Sequence, residues 1–428
     1  MTFAYFWIFI FLLAASVPVV FALLIAPGLS LFLDGEVVFY KALLSRLYNG
    51  MDSFPLMALP FFILAGQLMN SGGITRSIVE FSQSMIGHVR GGLAQVNICS
   101  SLLFAGLSGS AVADASALGK IFIPAMSESG YSRPFAAAIT VASAVIGPII
   151  PPSGIMILYA YIMNVSVAGL FAAGIVPGLL IAVGLMLMTS YLASTRGYPA
   201  AGPKATWPER TKALQGALPA LFTPVILLGG ILSGLFTPTE AAAVAATYAL
   251  IVAMFFMRTL KPKGLLPIFV DSAVQSGMVL LLVGASVSFA WMITVSGLAG
   301  ILADTMAVFA DNELILLFIL NLLLLLIGMF LDAGPAVLVL GPVLAPMFIS
   351  MGMDPMHFAV VMCVNVTVGL ATPPMGLVLF VSASVSRQRV ETIAWHILPF
   401  LAVEIVVIFL ITYFPSLSLA LPRWLGYA

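Results

Sequence analysis

A pattern of glycines and prolines occurs twice in this chain, 222 residues apart, inside stretches that are otherwise apolar. The first copy, residues 104–177, contains six prolines, and four of them fall on a proline of the second copy without a gap. Because Gly and Pro fix the local backbone path, the repeated feature is a backbone conformation, and the chain is predicted to fold as two similar halves. The matched pairs are Gly106 with Gly328, Gly119 with Gly341, Pro124 with Pro346, Gly130 with Gly352, Gly147 with Gly369, Pro151 with Pro373, Pro152 with Pro374, Gly154 with Gly376 and Pro177 with Pro399.

The surroundings of both copies are those of a membrane protein. Of the 428 residues, 62% are hydrophobic and 7% are charged, whereas a soluble domain has roughly 25% charged residues. Long apolar runs such as residues 314–331 and 397–413 predict helices that span a lipid bilayer rather than β-strands. The net charge is zero and there is no basic tract, which argues against nucleic acid as a partner.

Each copy contains two segments that do not form an ordinary spanning helix. In the first copy, two arms that are too short to span comfortably flank a polar tip, which predicts a re-entrant hairpin, and the repeat predicts a second hairpin in the second copy. Two further half-helices flank a Gly- and Pro-rich break, which predicts an interrupted helix. In the first copy the hairpin covers residues 91–126 and the interrupted helix covers 133–164; in the second copy they cover 313–351 and 356–386.

The number of spans between the two breaks predicts an inverted repeat. Four full spans lie between them, so the second interrupted helix crosses in the opposite direction from the first, as in secondary transporters. With further spans at 5–33, 53–69 and 392–413, the expected fold is an all-α polytopic membrane protein with nine spans and two hairpins. The four intervening spans are 167–193, 217–236, 239–257 and 277–296.

Two segments are predicted to lie at the membrane surface. Residues 34–51 alternate charged and apolar side chains as an interfacial amphipathic helix does, although an ordinary short loop helix is the alternative. Residues 258–276 are a second interfacial segment. The resulting units are 1–90 (scaffold and arm helix), 91–164 (first hairpin and interrupted helix of a transport unit), 165–311 (scaffold spans, cytoplasmic linker and second arm), 312–386 (second hairpin and interrupted helix) and 387–428 (last scaffold span and C-terminus).

Charge distribution predicts the orientation. Twelve basic residues fall on loops of one face, which the positive-inside rule assigns to the cytoplasm. Only Lys41, Arg46 and Arg423 fall on the opposite face, and Lys120 lies in a hairpin arm. The N-terminus is then expected in the cytoplasm and the C-terminus on the opposite side of the membrane.

The sequence argues against an enzyme. The three histidines, His88, His357 and His396, lie near predicted helix ends, so no Ser-His pair is expected at the midplane. There is no phosphate-binding GxxxxGK[ST] loop, and no His/Cys/Glu group has metal-ligand spacing.

The breaks instead suit a hard monovalent cation. Pro148, Pro151 and Pro152 free backbone carbonyls, which coordinate Na⁺ in unwound membrane helices, and Ser108 and Ser110 at the hairpin tip are placed to close such a site. The mirror site is predicted at Gly328, Asp332, Thr372 and Met375. A carboxylate in a membrane segment marks function, so Asp332 is the sharpest indication, although a helix cap is the alternative role.

An organic anion is predicted to bind at half-helix N-termini, where amides and helix dipoles favour negative charge. These ends lie near Ser110 and Gly154, and Asp114 and Ser153 are the neighbouring candidates for substrate contact. For Asp114, capping the tip is the alternative.

Four motifs resemble the large membrane subunit of TRAP transporters, the DctM-like family that includes the sialic-acid SiaM type. They are GLSGSAVADASALGKIFIPAM, GPIIPPSGIM, FTPTEAAAVAATYAL and GLATPPMGLVLF. The resemblance covers nearly the whole chain. It implies an elevator-type secondary transporter driven by Na⁺ that imports an organic acid such as sialic acid or a C4-dicarboxylate; a stand-alone Na⁺/dicarboxylate symporter of similar architecture is the alternative.

The resemblance also implies two sodium sites and two partners. The first site maps to Ser108, Ser110, Gly147, Ile150 and Pro152, and the second to Gly328, Asp332, Thr372 and Met375. The partners are a small membrane subunit and an extracytoplasmic solute-binding protein. Since Met1 leads almost directly into the first span, the small subunit is expected to be a separate chain, seated on residues 34–51.

Overall fold

The computed structural model describes residues 3–200, 202–297 and 312–427. These residues form helices, and the only β-structure among them is an isolated bridge between Arg90 and Ala200. The α-helices, in chain order, are Ala4–Ala14, Val19–Leu33, Tyr40–Met51, Ala58–Ser71, Ile74–Ile86, Gly92–Ser108, Ala111–Glu128, Arg133–Ala144, Gly154–Met163, Val167–Arg196, Trp207–Leu232, Pro238–Ile251, Leu265–Ser296, Glu313–Phe330, Ala333–Ser350, Pro355–Gly369, Leu377–Ser386, Val390–Tyr413 and Ser416–Trp424.

Within those ranges, 8 helices are long and apolar enough to cross a membrane. The chain is therefore an all-α, multi-pass membrane protein, as predicted. The 8 helices are Phe54–Ser71, Val167–Arg196, Trp207–Leu232, Pro238–Phe256, Pro262–Ser296, Glu313–Phe330, Ala333–Ser350 and Val390–Tyr413.

Two helical hairpins form at the predicted positions and follow the predicted repeat. Both arms of the second hairpin are long and apolar enough to cross a membrane, so re-entrance into the membrane stays a prediction. Hairpin 1 consists of Gly92–Ser108 and Ala111–Glu128, and hairpin 2 consists of Glu313–Phe330 and Ala333–Ser350. A shift of 222 residues brings the four arm boundaries of one hairpin to within one residue of those of the other. The glycine and proline pattern therefore predicts where each arm begins and ends.

The interrupted helices are confirmed as well. Interrupted helix 1 has the halves Arg133–Ala144 and Gly154–Met163, and interrupted helix 2 has the halves Pro355–Gly369 and Leu377–Ser386. The intervening prolines cannot donate to a helical ladder, so the backbone leaves the helix between the halves.

The two repeats exchange contacts. The second arm of hairpin 1 packs against the second half of interrupted helix 2, and the second arm of hairpin 2 packs against the second half of interrupted helix 1. This reciprocal packing is what a pseudo-two-fold axis between inverted halves produces. It brings the two hairpin tips towards one central region.

The other helices differ in what they pack against. Val167–Arg196 and Val390–Tyr413 pack against the hairpins and interrupted helices. Leu265–Ser296 packs against Tyr40–Met51 and Ala58–Ser71, and also against the second arm of hairpin 2. The predicted units 165–311 and 387–428 assign the first two helices to the scaffold, so the packing groups differ from that division. Which helices move together stays a prediction, and residues 298–311 of the predicted unit 165–311 lie outside the described residues.

The single span predicted for residues 5–33 is wrong. The chain forms two helices here, Ala4–Ala14 and Val19–Leu33, which pack against each other. Ser16 adopts a φ of 61°, and the amide of Val17 donates to the carbonyl of Leu12 at 3.0 Å. This left-handed residue closes the first helix, and Pro18 then starts a new direction.

The separate surface segment predicted at 258–276 is also wrong in its boundary. Leu265–Ser296 is one continuous helix of 32 residues that runs through Gly277. Isolated polar side chains such as Asp271 and Gln275 do not end a helix, because they leave its backbone ladder intact. In the first repeat the arm helix Tyr40–Met51 does end, at Asp52, before the next helix.

The tips of the two hairpins differ at one position. Gly109 turns the first tip with a φ of 60°, a conformation that glycine adopts without steric cost. Leu331 occupies the equivalent position of the second tip and is extended, with a φ of −111°. The two arms of hairpin 2 pack less closely against each other than the two arms of hairpin 1 do.

We expect Gly369→Ala to destabilise the protein. A Cβ on Gly369 would lie 2.6 Å from the backbone of Gly328, and rigid backbone cannot move aside cheaply. Overpacking of this kind costs about 1–3 kcal/mol, which should lower the melting temperature of the detergent-purified protein. Gly341→Ala in the same repeat is the matched control, since its Cβ would meet nothing closer than 3.7 Å. Equal melting temperatures for the two variants would contradict the close approach.

Candidate functional site

The first hairpin tip holds a buried carboxylate. The hydroxyl of Ser108 donates to Oδ1 of Asp114, which is 0% exposed. Its second oxygen, Oδ2, has no hydrogen-bond partner among the described residues. A Cβ on Gly147 would lie 2.3 Å from that oxygen, so the absence of a side chain at Gly147 makes room for Asp114. Ser108, Asp114 and Gly147 thus form one cluster, and Asp114 faces the break rather than open space.

The break of interrupted helix 1 presents free backbone oxygens. In the part of the chain described, the carbonyls of Gly147, Ile150 and Pro152 accept no hydrogen bond. The side chain of Ile150 packs near Gly178. A Cβ on Gly109 would lie 2.9 Å from the carbonyl oxygen of Pro152, so the hairpin tip rests directly on the break. Hydroxyl, carboxylate and carbonyl oxygens are therefore close together, a donor set that suits a hard cation.

Ser153 has a structural role at the start of the second half-helix. Its hydroxyl donates to the carbonyl of Pro148 and accepts from the amide of Met156 at 3.3 Å. Ser110 caps the second arm of hairpin 1 in the same way, accepting from the amide of Ala113 at 3.4 Å. Both serines follow the N-cap rule for residues that precede a helix.

The second tip is built around Asp332. Its Oδ1 accepts from the amide of Ala333 at 2.8 Å, which makes it the N-cap of the second arm. The cap was one of the two predicted roles, and it leaves the second carboxylate oxygen available. Gly328 packs against interrupted helix 2, and a Cβ added there would lie 2.7 Å from the carbonyl oxygen of Val366.

The second break is less covered than the first. The hydroxyl of Thr372 donates to the carbonyl of Val368 at 2.9 Å, and Met375 is 51% exposed. Of the residues described, none donates a hydrogen bond to the carbonyl oxygens of Gly328 and Met375. Like the first group, the second group of predicted residues has carbonyl oxygens without hydrogen-bond donors, but its residues are more exposed to solvent.

A single cavity connects the two hairpin tips. Its volume is about 420 Å³, and it lies between the tips, the first break and two scaffold helices. Asp114, Gly147, Ile150 and Ser153 lie outside this lining, as do Gly328, Thr372 and Met375. The lining residues are Leu59, Phe62, Ile63, Leu107, Ser108, Gly109, Ser110, Ala111, Val112, Pro148, Pro152, Gly154, Ile155, Leu158, Gln275, Met278, Val279, Asp332, Gly334 and Leu370.

Comparison with known families identifies this architecture. A sequence model of the family described as "Tripartite ATP-independent periplasmic transporter, DctM component" matches residues 6–417. The chain belongs to this family. It is therefore a large membrane subunit of the TRAP type, a transport protein and not an enzyme.

Relatives in the TRAP family are similar over almost the whole chain. A sialic acid TRAP transporter large permease, SiaM of Vibrio cholerae, is 41% identical over 417 residues, which cover 97% of both chains. A C4-dicarboxylate TRAP transporter large permease, DctM of Pseudomonas aeruginosa, is 37% identical over 90% of both chains. A 2,3-diketo-L-gulonate TRAP large permease, YiaN of Escherichia coli, is 36% identical over 97% of both chains. The three relatives are named for three different organic acids.

Two solved transporters share the fold. The YdaH transporter of Alcanivorax borkumensis superimposes with a TM-score of 0.62 at 17% identity, covering 92% of this chain and 89% of that one. MtrF of Neisseria gonorrhoeae gives a TM-score of 0.60 at 16% identity, covering 89% and 84%. At these identities the likeness concerns the fold alone.

The cavity of this TRAP subunit has an unusual charge pattern. Among its lining residues, Asp332 is the only ionisable one, and none is cationic. Three helices begin at its wall: the hairpin arms Ala111–Glu128 and Ala333–Ser350, the latter capped by Asp332, and the half-helix Gly154–Met163. Their free amides and dipoles favour an anion, whereas the carboxylate favours a cation. The cavity is therefore suited to hold both together.

Sequence reasoning missed one side of the cavity. Leu59 and Phe62 come from the helix Ala58–Ser71, and Gln275, Met278 and Val279 come from the helix Leu265–Ser296. Positions 275, 278 and 279 share one helical face. The one signal in the sequence is the side-chain amide of Gln275 on an otherwise apolar helix face. The sequence does not show that this face lies opposite the hairpin tips.

Proposed function

We propose that this TRAP subunit uses a Na⁺ gradient to import an organic acid anion. The observation that carries the proposal is the cavity of about 420 Å³, which joins a carboxylate to three helix N-termini without any cationic side chain. An anion entering alone would be repelled by Asp332. A bound cation removes that repulsion, so anion binding depends on the cation, and this dependence is what couples the two fluxes.

Two cation sites follow from the free oxygens. The first uses Ser108, Ser110 and the carbonyls of Gly147, Ile150 and Pro152; we add the free oxygen of Asp114, which faces this group. The second uses Asp332 with Gly328, Thr372 and Met375. Asp114 is thereby reassigned from the substrate to the first cation site.

The solute is proposed to bind at the cavity wall formed by Ser110 and Gly154. Ser153, which is buried and caps the same half-helix, positions this wall without lining it. The relatives named for sialic acid, C4-dicarboxylates and 2,3-diketo-L-gulonate support an organic acid as the substrate class.

The working assembly is proposed to contain a small membrane subunit and an extracytoplasmic binding protein, as the tripartite family name indicates. The assembly lies in a bacterial inner membrane, with the N-terminus of this chain in the cytoplasm and the C-terminus in the periplasm. Movement of the hairpin unit past the scaffold, as in an elevator, exposes the cavity to either side. The stand-alone symporter is not favoured, because the matching relatives are subunits of TRAP systems.

Uptake into proteoliposomes tests the proposal. With both partners present and an inward Na⁺ gradient, labelled sialic acid or succinate should accumulate; omission of the binding protein should abolish uptake. Accumulation by this chain alone would favour the symporter. Failure of every organic acid with all three components, in the presence of Na⁺, would contradict the proposed substrate class.

A further inference from the structure

A second cavity lies outside the site described above, at one end of the helix bundle. It has a volume of about 410 Å³. Glu313–Phe330 and Pro355–Gly369 begin beside it, Ala333–Ser350 and Val390–Tyr413 end beside it, and the C-terminal helix Ser416–Trp424 borders it. Because these apolar helices begin or end here, the cavity lies at a membrane boundary.

The equivalent position in the first repeat is filled. The 222-residue shift places Tyr131 on Met353 and Phe135 on His357. In the first repeat the ring of Tyr198 stacks on Tyr131, with centroids 4.5 Å apart, and lies tilted against Phe135, with centroids 4.8 Å apart. In the second repeat Met353 and His357 border open space instead. The second repeat thus has a cavity at this position, whereas three aromatic rings fill the equivalent position of the first repeat.

Buried polar contacts hold the wall in place. His357 is 3% exposed; its Nδ1 lies 2.7 Å from the hydroxyl of Ser418, and its Nε2 donates to the carbonyl of Thr412 at 3.2 Å. Asp354 accepts from the amides of Met356 and His357 at 2.8 and 3.1 Å. These bonds fix the C-terminal helix against interrupted helix 2.

Charges of both signs line the cavity without pairing. Glu313, Asp354 and Arg423 all contribute to its lining, yet among the residues described the one ion pair is Arg76 with Glu80. Opposite charges that face one space but stay apart are complementary to a ligand that carries both signs.

The position and walls identify the class of that ligand. Leu314, Phe348 and Leu419 give the cavity apolar walls. Trp424 is 81% exposed at the end of the C-terminal helix, as expected for a residue at the membrane interface. A zwitterionic molecule with an apolar part, at a membrane boundary, is a phospholipid.

We propose that this cavity binds the headgroup of a phosphatidylethanolamine-type lipid. Arg423 binds the phosphate, Glu313 and Asp354 bind the ammonium group, and the apolar walls contact the start of the acyl chains. This inference does not depend on the transported solute or on Na⁺.

Lipid binding to the delipidated full-length chain in detergent tests the proposal. Native mass spectrometry with phosphatidylethanolamine, phosphatidylcholine and phosphatidylglycerol should give about tenfold tighter binding of the first lipid. This factor corresponds to about 1.4 kcal/mol, close to the loss of one charged hydrogen bond. Arg423→Gln and Glu313→Gln should each weaken that binding about tenfold. Lys204→Gln, at an exposed position in the linker before Trp207–Leu232, is the control and should leave it unchanged.

Three outcomes would overturn the proposal. Equal binding of the three lipids would mean non-specific association. Tight binding of phosphatidylglycerol that survives Glu313→Gln would mean an anionic lipid held by Arg423 alone. Unchanged phosphatidylethanolamine binding in both variants, each verified as folded by its melting curve, would place the lipid elsewhere.

Discussion

Gly147→Ala is expected to reduce Na⁺-driven solute uptake to below about a tenth of wild type, since a displacement near a site costs up to about 100-fold. A Cβ at this position would lie 2.3 Å from Oδ2 of Asp114 and 3.2 Å from the carbonyl of Ala144. Asp114 would have to swing away from the break and lose its contact with Ser108. The measurement is initial uptake in proteoliposomes at several Na⁺ concentrations.

The matched control is Gly216→Ala, also in a helix, where an added Cβ would meet nothing within 4 Å. This variant should transport at the wild-type rate. Melting curves and yield distinguish a lost site from a lost fold. A well-folded Gly147→Ala protein with normal uptake and normal Na⁺ response would show that Asp114 is not part of the transport site.

Asp332→Asn should raise the Na⁺ concentration required for half-maximal uptake about tenfold, because loss of a charged ligand costs about 1.5–3 kcal/mol. Asn keeps the side-chain oxygen that accepts from the amide of Ala333 at 2.8 Å, so the helix cap survives while the charge is removed. The melting temperature should therefore change little. The effect should appear in Na⁺ affinity more than in stability.

Asp271→Asn serves as the control for this change, because it removes an exposed carboxylate from the long scaffold helix outside the cavity lining. Its Na⁺ response should match wild type. If Asp332→Asn also kept the wild-type Na⁺ response, Asp332 would be a helix cap only, and the second cation site would need other ligands.

The sequence predicts the repeat and its breaks because they depend on local backbone chemistry. Pro151 and Pro152 cannot continue a helix wherever they are packed, and the same holds for Pro373 and Pro374. The hairpin arms were likewise placed to within a few residues. These features need no knowledge of neighbours in space.

Features that depend on neighbours or on single unusual residues were not predictable. Ser16 in a left-handed conformation splits the first predicted span, although serine has no marked preference for that conformation. The helix Leu265–Ser296 continues through its polar residues, because their side chains leave the backbone hydrogen bonds of the helix intact. Polar residues alone do not mark a helix end.

At the site, residue identity was predictable and side-chain direction was not. Ser108, Ser110 and Asp332 were predicted from the tips, and the structure places all three on one cavity. For Asp114 the sequence predicts either a cap of the tip or contact with a substrate or an ion, and the structure points its side chain at Gly147. Its direction follows from which helix packs behind the tip, which a single sequence does not specify.

The most direct test of coupled cation and anion binding is the ratio of fluxes in the reconstituted three-component system. Labelled Na⁺ and labelled organic acid should enter together, with at least about two Na⁺ per anion as two cation sites require, and replacement of Na⁺ by K⁺ should abolish anion uptake. Anion accumulation at the same rate in K⁺, with no accompanying Na⁺ flux, would contradict the account.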